Sequence, residues 1–339
     1  MIDALSQILA FDVLVSMFGG TILGVVVGAV PGLGSILGLS IVLPFTFGMD
    51  TLPSMALLLG VYAGSVYGGS ISAILINIPG TPQSAATSID GYPMSRKGQA
   101  GLAIGWATLA SLFGGTFSAF VLMSIASPLA YFSLRLGPPE FFALTLMAMV
   151  CVAAVSRGSM IKGFIAGIIG LFVAVVGSDP ITGDLRFEYD VLELSAGVNR
   201  VAVLIGIFAL SEVFVQVLSG NKPVEYPTSG LAFRLPGLGA VRARLKTLVK
   251  SAFIGTFIGI LPGTGATAAS FVSYLEAKRT GKFREKFGEG EPEGIVASET
   301  SNNAVTGGAL VPSLALGIPG DAVTALIVSL LIIKGGQPG

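Results

Sequence analysis

The 339-residue chain is 53% hydrophobic and only 11% charged, with a mean hydropathy of +0.85, which excludes an ordinary soluble globule and marks a polytopic membrane protein. Its 19 basic and 19 acidic residues cancel, so composition offers no nucleic-acid-binding surface. A single cysteine, Cys151, rules out an internal disulfide or a cysteine-built metal centre, and the lack of His removes serine-histidine catalysis, histidine proton relays and most zinc chemistry.

The N-terminal region holds Asp3 and Asp12 and no basic stretch ahead of its first apolar run, so that run is expected to be a retained span rather than a cleaved signal peptide. Measured against the ~20 residues that a helix needs to cross a bilayer, spans are predicted near 13–30 and 54–78, with a shorter apolar piece at 35–47. Pro31-Gly32-x-Gly34, followed by Ser35, separates the first two pieces, and the second span is interrupted at Asn77-Ile78-Pro79-Gly80-Thr81-Pro82. Proline removes a backbone donor and clashes with the carbonyl one turn earlier, so a break is expected at each place. Arg96 and Lys97 then mark a cytoplasmic loop by the positive-inside rule, with Asp90 read as a surface anchor beside them.

Further spans are predicted near 102–126, 139–156, 160–177 and 200–219. Arg157 and Lys162 form a second basic loop, whereas 178–199 holds Asp179, Asp184, Glu188, Asp190 and Glu193 against Arg186 alone and is placed outside. Counting crossings from Arg96-Lys97 brings 220–250 back inside, as Arg242, Arg244, Lys246 and Lys250 require. Pro223, Pro227 and Pro236 make that stretch a linker, and its basic end reads as an amphipathic surface arm. Arg135 and Arg200 sit at helix ends, where snorkelling to headgroups accounts for them.

Residues 251–275 lie between basic flanks, with Lys278, Arg279, Lys282, Arg284 and Lys286 following. One crossing would move the second flank outside, whereas a re-entrant hairpin with Pro262-Gly263-Thr264-Gly265 at its tip does not. Arms of ~11 residues reach about 16 Å, the middle of a ~30 Å hydrocarbon core. The polar stretch 276–299 reads as a solvated connection, and a last span near 303–333 breaks at Gly317-Ile318-Pro319-Gly320-Asp321.

The second hairpin and break repeat the first. Gly24-x3-Gly28-x2-Pro31-Gly32-x-Gly34 recurs as Gly255-x3-Gly259-x2-Pro262-Gly263-x-Gly265 at a constant offset of 231, and Gly68-Gly69 with Ile78-Pro79-Gly80 recurs as Gly307-Gly308 with Ile318-Pro319-Gly320 at offsets of 239 to 240. Matching breaks in two halves of an apolar chain are the pattern of a secondary transporter whose site lies at the breaks. Asp50 precedes a segment ending at the cytoplasmic Arg96-Lys97, so the first hairpin opens to the opposite side from the second. The expected fold is an all-α polytopic membrane protein with inverted structural repeats, re-entrant hairpins and discontinuous helices. Gly24, Gly28, Gly255 and Gly259 are scaffold, small residues that let helices approach closely. Gly263-x-Gly265-x-x-Ala268 mimics a dinucleotide fingerprint, but no strand precedes it.

Helix N-termini freed at such breaks favour anions, while freed carbonyls and carboxylates favour cations. Substrate contacts are therefore expected from Pro31, Gly32, Gly34 and Ser35 at the first tip and from Gly263, Thr264, Gly265 and Thr267 at the second. Asn77, Pro79, Gly80, Thr81 and Ser84, with Pro319 and Gly320, supply the breaks. A coupling ion, sodium or a proton, is assigned to Asn77, Ser301, Asn302, Asn303 and Asp321, and no other cofactor is expected. Asp321 leads that set, because a carboxylate just past a break at membrane depth is costly without a cation or polar cavity. Gln83, Thr87, Ser298 and Glu299 add to the polar crowding.

Gly69-Ser-Ile-x-Ala-Ile-Leu-x-Asn-Ile-Pro-Gly-Thr-Pro-x-Ser-Ala-Ala-Thr, running on to Asp90-Gly-Tyr-Pro, resembles the large membrane subunit of the tripartite tricarboxylate transporters. Glu299-Thr-Ser-Asn-Asn-Ala, Gly307-Gly-Ala-Leu-Val-Pro and Gly317-Ile-Pro-Gly-Asp-Ala-Val-Thr-Ala resemble the same family's second signature. The resemblance implies gradient-driven uptake of a carboxylate such as citrate across the bacterial inner membrane, with a small transmembrane subunit and a periplasmic solute-binding protein as partners. Release by a rigid-body, elevator-type movement of the half-sites is expected, with 1–95 as first repeat, 96–219 as connecting helices, 220–250 as linker and arm, and 251–339 as second repeat. Family members are longer, so a further C-terminal helical portion is expected. A passive channel would also need broken helices and a polar path, but no carboxylate-asparagine cluster, and gradient dependence separates the two. An intramembrane enzyme would lack a histidine base and shows no facing pair of acids.

Overall fold

The computed structural model describes residues 6–133, 159–178, 184–195, 231–281 and 283–338, with scattered positions in 137–150 and 197–218. Arg135, Cys151, Arg157, Asp179, Arg200, Pro223 and Pro227 lie outside the described residues, as do most of the spans predicted at 139–156 and 200–219. The first half contains α1 (Phe11–Ala29), α2 (Gly34–Val42), α3 (Thr51–Ile76) and α4 (Ala85–Met94). Then come α5 (Ala100–Ser133) and α6 (Met160–Ala174), a two-residue antiparallel pair β1 (Gly177–Ser178) and β2 (Leu185–Arg186), and the short α7 (Leu192–Ser195). The second half contains α8 (Leu238–Ala243), α9 (Leu245–Ile260), α10 (Gly265–Thr280), α11 (Pro292–Leu316) and α12 (Ala322–Ile333). By length and composition α1, α3 and the stretch from Pro82 to Tyr131 can cross a membrane.

Both tips form where the sequence places them. Gly32 and Gly34 take φ of 89° and 62°, and Gly263 and Gly265 take 79° and 70°, left-handed values that glycine adopts without a Cβ penalty. Each long helix stops ahead of its proline, because the residue before proline avoids the helical region. Asn77 (φ 56°) ends α3 and Gly317 (φ 67°) ends α11, both as left-handed C-caps.

α1 lies along α3, and α9 lies along α11, with backbones in close approach. A Cβ on Gly24 would run into the Val61 carbonyl and one on Gly255 into the Ser301 carbonyl; Gly68 sits in the same way on Val25, and Gly308 on Thr256. Residues 61 and 301, like 68 and 308, stand 240 apart, so packing pairs Gly68 with Gly308, one residue away from the literal Gly-Gly match. Gly307 packs instead against Ser118 of α5.

The halves share their cores. Leu58, Val61 and Tyr62 of α3 pack with Leu326, Ile327 and Leu330 of α12, and Trp106 of α5 packs with Ile74, Leu248 and Ile295. Three readings from sequence are corrected here. Residues 292–299 are not a solvated connection: they begin α11, and Ile295, Ser298 and Glu299 are wholly buried, because this stretch is walled in by α4 and α5, which are remote in sequence. The hairpin arms α9 and α10 have 16 residues each, about 24 Å at 1.5 Å per residue, since the basic run 245–250 joins α9 as its first turns rather than forming a separate surface arm. Asp90 is no surface anchor: it is fully buried, and its Oδ1 accepts from the backbone N–H groups of Gly288, Gly290 and Glu291 at 2.8–2.9 Å.

That loop sits at the end where the basic residues gather. Lys97 donates to the Glu289 carbonyl (2.6 Å), Arg244 pairs with Glu291 (2.7 Å), and Lys250 pairs with Glu276. Hydrogen bonds from Arg279 and then Lys250 hold the Glu276 carboxyl, at the surface end of α10, down to about 2. At the far end of α12, Lys334 donates to the carbonyls of Phe47 (3.0 Å) and Met49 (2.5 Å), beside the start of α3.

Candidate functional site

Both tips and both breaks open onto one cavity of ≈ 1050 Å³. Gly32, Gly34 and Ser35 line it from the first tip, Pro79, Gly80 and Thr81 from the first break, Gly265 and Thr267 from the second tip, and Asp321 from the second break. Four helical starts therefore face one space: α2, α10, α12 and the 3₁₀ turn Pro82–Ser84 that leads into α4. Their capping differs in a way that matters for binding. Thr81 and Ser84 form a reciprocal capping box, as do Asp321 and Thr324, whereas no side chain caps α2 or α10. Positive helix-dipole ends without a side-chain acceptor are suited to an anion. The Ser35 hydroxyl, 6% exposed and on the wall, has no hydrogen-bond partner in the structure.

The remaining predicted contacts do not line the cavity. Thr264 donates from Oγ1 to the carbonyls of Ile258 (2.5 Å) and Leu261 (2.9 Å) and so closes the second tip, and the Gly263 N–H donates to the Gly320 carbonyl (2.8 Å), tying tip to break. Ser84 is buried in its capping box, Pro31 and Pro319 adjoin the wall, and Asn77 is an exposed cap.

The residues assigned to the cation separate into distinct places. Asp321 stays on the cavity, with Oδ1 accepting from the Thr324 N–H (2.7 Å) and Oδ2 from the Tyr62 hydroxyl (2.8 Å). Ser301 donates within its own helix to Ala297 (3.0 Å) and Ser298 (3.1 Å). Asn302 and Asn303 instead join a buried group around Glu299. Thr87 donates to Glu299 Oε1, Ser111 donates to Oε2 at 3.2 Å, and Asn303 Nδ2 donates to Ser111 Oγ (2.8 Å) and to the Glu299 carbonyl (3.0 Å). Among the described residues, no three acidic, His or Cys side chains gather into a multivalent metal site.

Tyr62 and Ser111 were not legible as functional positions. Tyr62 carries no motif of its own, and Ser111 sits in the apolar run of α5; only the fold brings them to Asp321 and Glu299.

A model of the tripartite tricarboxylate transporter TctA family matches residues 14–339. The chain is 38% identical over 322 residues to an "Uncharacterized 52.8 kDa protein in TAR-I ttuC' 3'region" of Agrobacterium vitis, covering 95% of this chain and 64% of that relative. It is 44% identical over 85 residues to an "Uncharacterized protein in TAR-II ttuC' 3'region" of the same organism, covering 25% of this chain and 35% of that relative. The chain thus spans less than two thirds of the length of either relative. No solved structure matches it. A family model that covers nearly the whole chain, on a helical membrane-type fold with a cavity at two repeated breaks, establishes that the chain belongs to the tripartite tricarboxylate transporter TctA family.

Proposed function

We propose that this chain is the large transmembrane subunit of a binding-protein-dependent secondary transporter that imports tricarboxylates such as citrate, or related carboxylates, across the bacterial inner membrane under a sodium or proton gradient. The observation that carries the reading is a cavity onto which two helix N-termini without side-chain caps, α2 and α10, open together, with Ser35, whose buried hydroxyl has no partner, in its lining. A carboxylate gains from each helix end by the dipole and from each free donor by a charge-assisted hydrogen bond. The volume suits a small organic anion.

Contacts at the two ends of the broken helices support inverted repeats. The end of α4 meets the loop that starts α11, through Asp90 on Gly290, while the end of α12 meets the start of α3, through Lys334 on Met49. The two broken elements thus run in opposite directions past one another, with Tyr62 and Asp321 crossing between them. In this reading the tips and breaks move as a body, elevator-fashion, against the remaining helices, and a small transmembrane subunit and a periplasmic solute-binding protein complete the system.

Uptake of labelled citrate into proteoliposomes tests the proposal, with the subunit, its small partner and the binding protein present and a sodium or proton gradient imposed. Uptake that requires gradient and binding protein together supports it; equal flux with and without the gradient overturns it in favour of a channel.

A further inference from the structure

We propose that Glu299, with Thr87, Ser111, Ser298 and Asn302, forms a binding site for one dehydrated monovalent metal cation of sodium size, apart from the carboxylate cavity. This deepens the transport reading by relocating its coupling ion from Asp321.

The geometry comes from three helices. α4 supplies Thr87, α5 supplies Ser111, and α11 supplies Ser298, Glu299 and Asn302. Glu299, Thr87, Ser298 and Asn302 are all 0% exposed. Thr87 Oγ1 lies 3.0 Å from Ser298 Oγ and also donates to Glu299, so oxygens from separate helices converge on one carboxylate. Among the described residues, no lysine or arginine pairs with Glu299. Among the described residues, the other titratable side chain that faces it is Tyr67 of α3, whose hydroxyl is shared with Thr108 (2.8 Å). A lone carboxylate inside a membrane protein is costly unless a positive charge meets it.

Asn302 identifies what meets it. Its amide bears on the Glu299 carboxylate, yet neither Nδ2 nor Oδ1 completes a hydrogen bond of normal geometry. In the packing register Asn302 is the counterpart of Tyr62, since 62 + 240 = 302, and Tyr62 does find a partner, in Asp321. The unmet need is therefore peculiar to Asn302 and is not a property of the repeat. A proton on Glu299 would serve one acceptor at a time, whereas a metal cation takes the carboxylate, the amide oxygen and the hydroxyls together, and the hydroxyls rotate their lone pairs toward it. One carboxylate balances one positive charge, and an all-oxygen set suits a hard ion.

The test is equilibrium binding of ²²Na⁺ to the purified chain in nanodiscs, without carboxylate, together with thermal unfolding in sodium and in choline. The wild-type chain is expected to bind about one ²²Na⁺ and to melt higher in sodium, as linkage requires. Glu299→Gln is expected to abolish binding, and Asn302→Ala to weaken it at least tenfold while melting no lower than wild type in choline. A purely structural asparagine would lower the choline melting temperature instead. Wild-type ²²Na⁺ affinity in folded Asn302→Ala overturns the proposal, as does a wild-type chain that binds no ²²Na⁺ and melts alike in both salts. Sodium-driven citrate uptake alongside unaltered ²²Na⁺ binding in Glu299→Gln would sink this site and leave the transport reading standing; Glu299-dependent binding without any carboxylate uptake would do the reverse.

Discussion

Ser35 and Asp90 are both buried and polar, and they illustrate opposite uses of burial. Ser35 belongs to the cavity lining and its buried Oγ has no partner, so it contributes no hydrogen bond to the fold and, in the proposed function, donates to a bound carboxylate. Ser35→Ala should leave the melting temperature unchanged and weaken citrate binding about tenfold, the size of one hydrogen bond to a charged group, by isothermal titration. Asp90 is satisfied at both oxygens, with three backbone donors on Oδ1 and the Tyr274 hydroxyl on Oδ2 at 2.8 Å. Asp90→Ala would leave four donors without their acceptor, and a loss of about 3 kcal/mol or more is expected in chemical unfolding. Asp90→Asn, which keeps an Oδ1 acceptor, should lose less.

At the level of elements, the capping of α12 separates structural from ionic roles for Asp321. Asp321 receives the Thr324 N–H and the Tyr62 hydroxyl, so it both starts α12 and ties it to α3. Asparagine is as good an N-cap as aspartate, whereas alanine is not. Asp321→Ala should cost about 1 kcal/mol for the cap and a further 1–3 kcal/mol for the stranded Tyr62 hydroxyl, while Asp321→Asn should cost well under half of that in thermal unfolding. If the coupling cation sits at Glu299, Asp321→Asn retains ²²Na⁺ binding; loss of binding with an intact fold would return the ion to Asp321. The uncapped α2 and α10 are the complement, elements whose ends no side chain closes and which the proposed function gives to the carboxylate.

For the whole molecule, the ends of the two broken elements are the decisive feature. Lys97 and Lys286 belong to the basic end, and Asp50 and Thr51 lie by the Lys334 contact. All four are exposed. In a Cys151→Ser background, single cysteines at Lys97 and Lys286 should react with a membrane-impermeant maleimide from one face of the bilayer, and those at Asp50 and Thr51 from the other. Labelling of all four from one face would dismiss the inverted arrangement and, with it, the elevator movement built on it.

The sequence by itself determined the solvent, the breaks and the repeat, because hydropathy, proline and glycine act locally: a Pro-Gly pair ends a helix whatever surrounds it. The tips at Gly32 and Gly263, and the left-handed caps at Asn77 and Gly317, follow from those local rules. The register of 240, the burial of 294–299, the bond from Tyr62 to Asp321 and the gathering of Thr87 and Ser111 on Glu299 were decided only by tertiary structure. These join residues 188 to 259 positions apart, and such pairings are chosen by helix packing, which leaves no periodic trace in either segment alone.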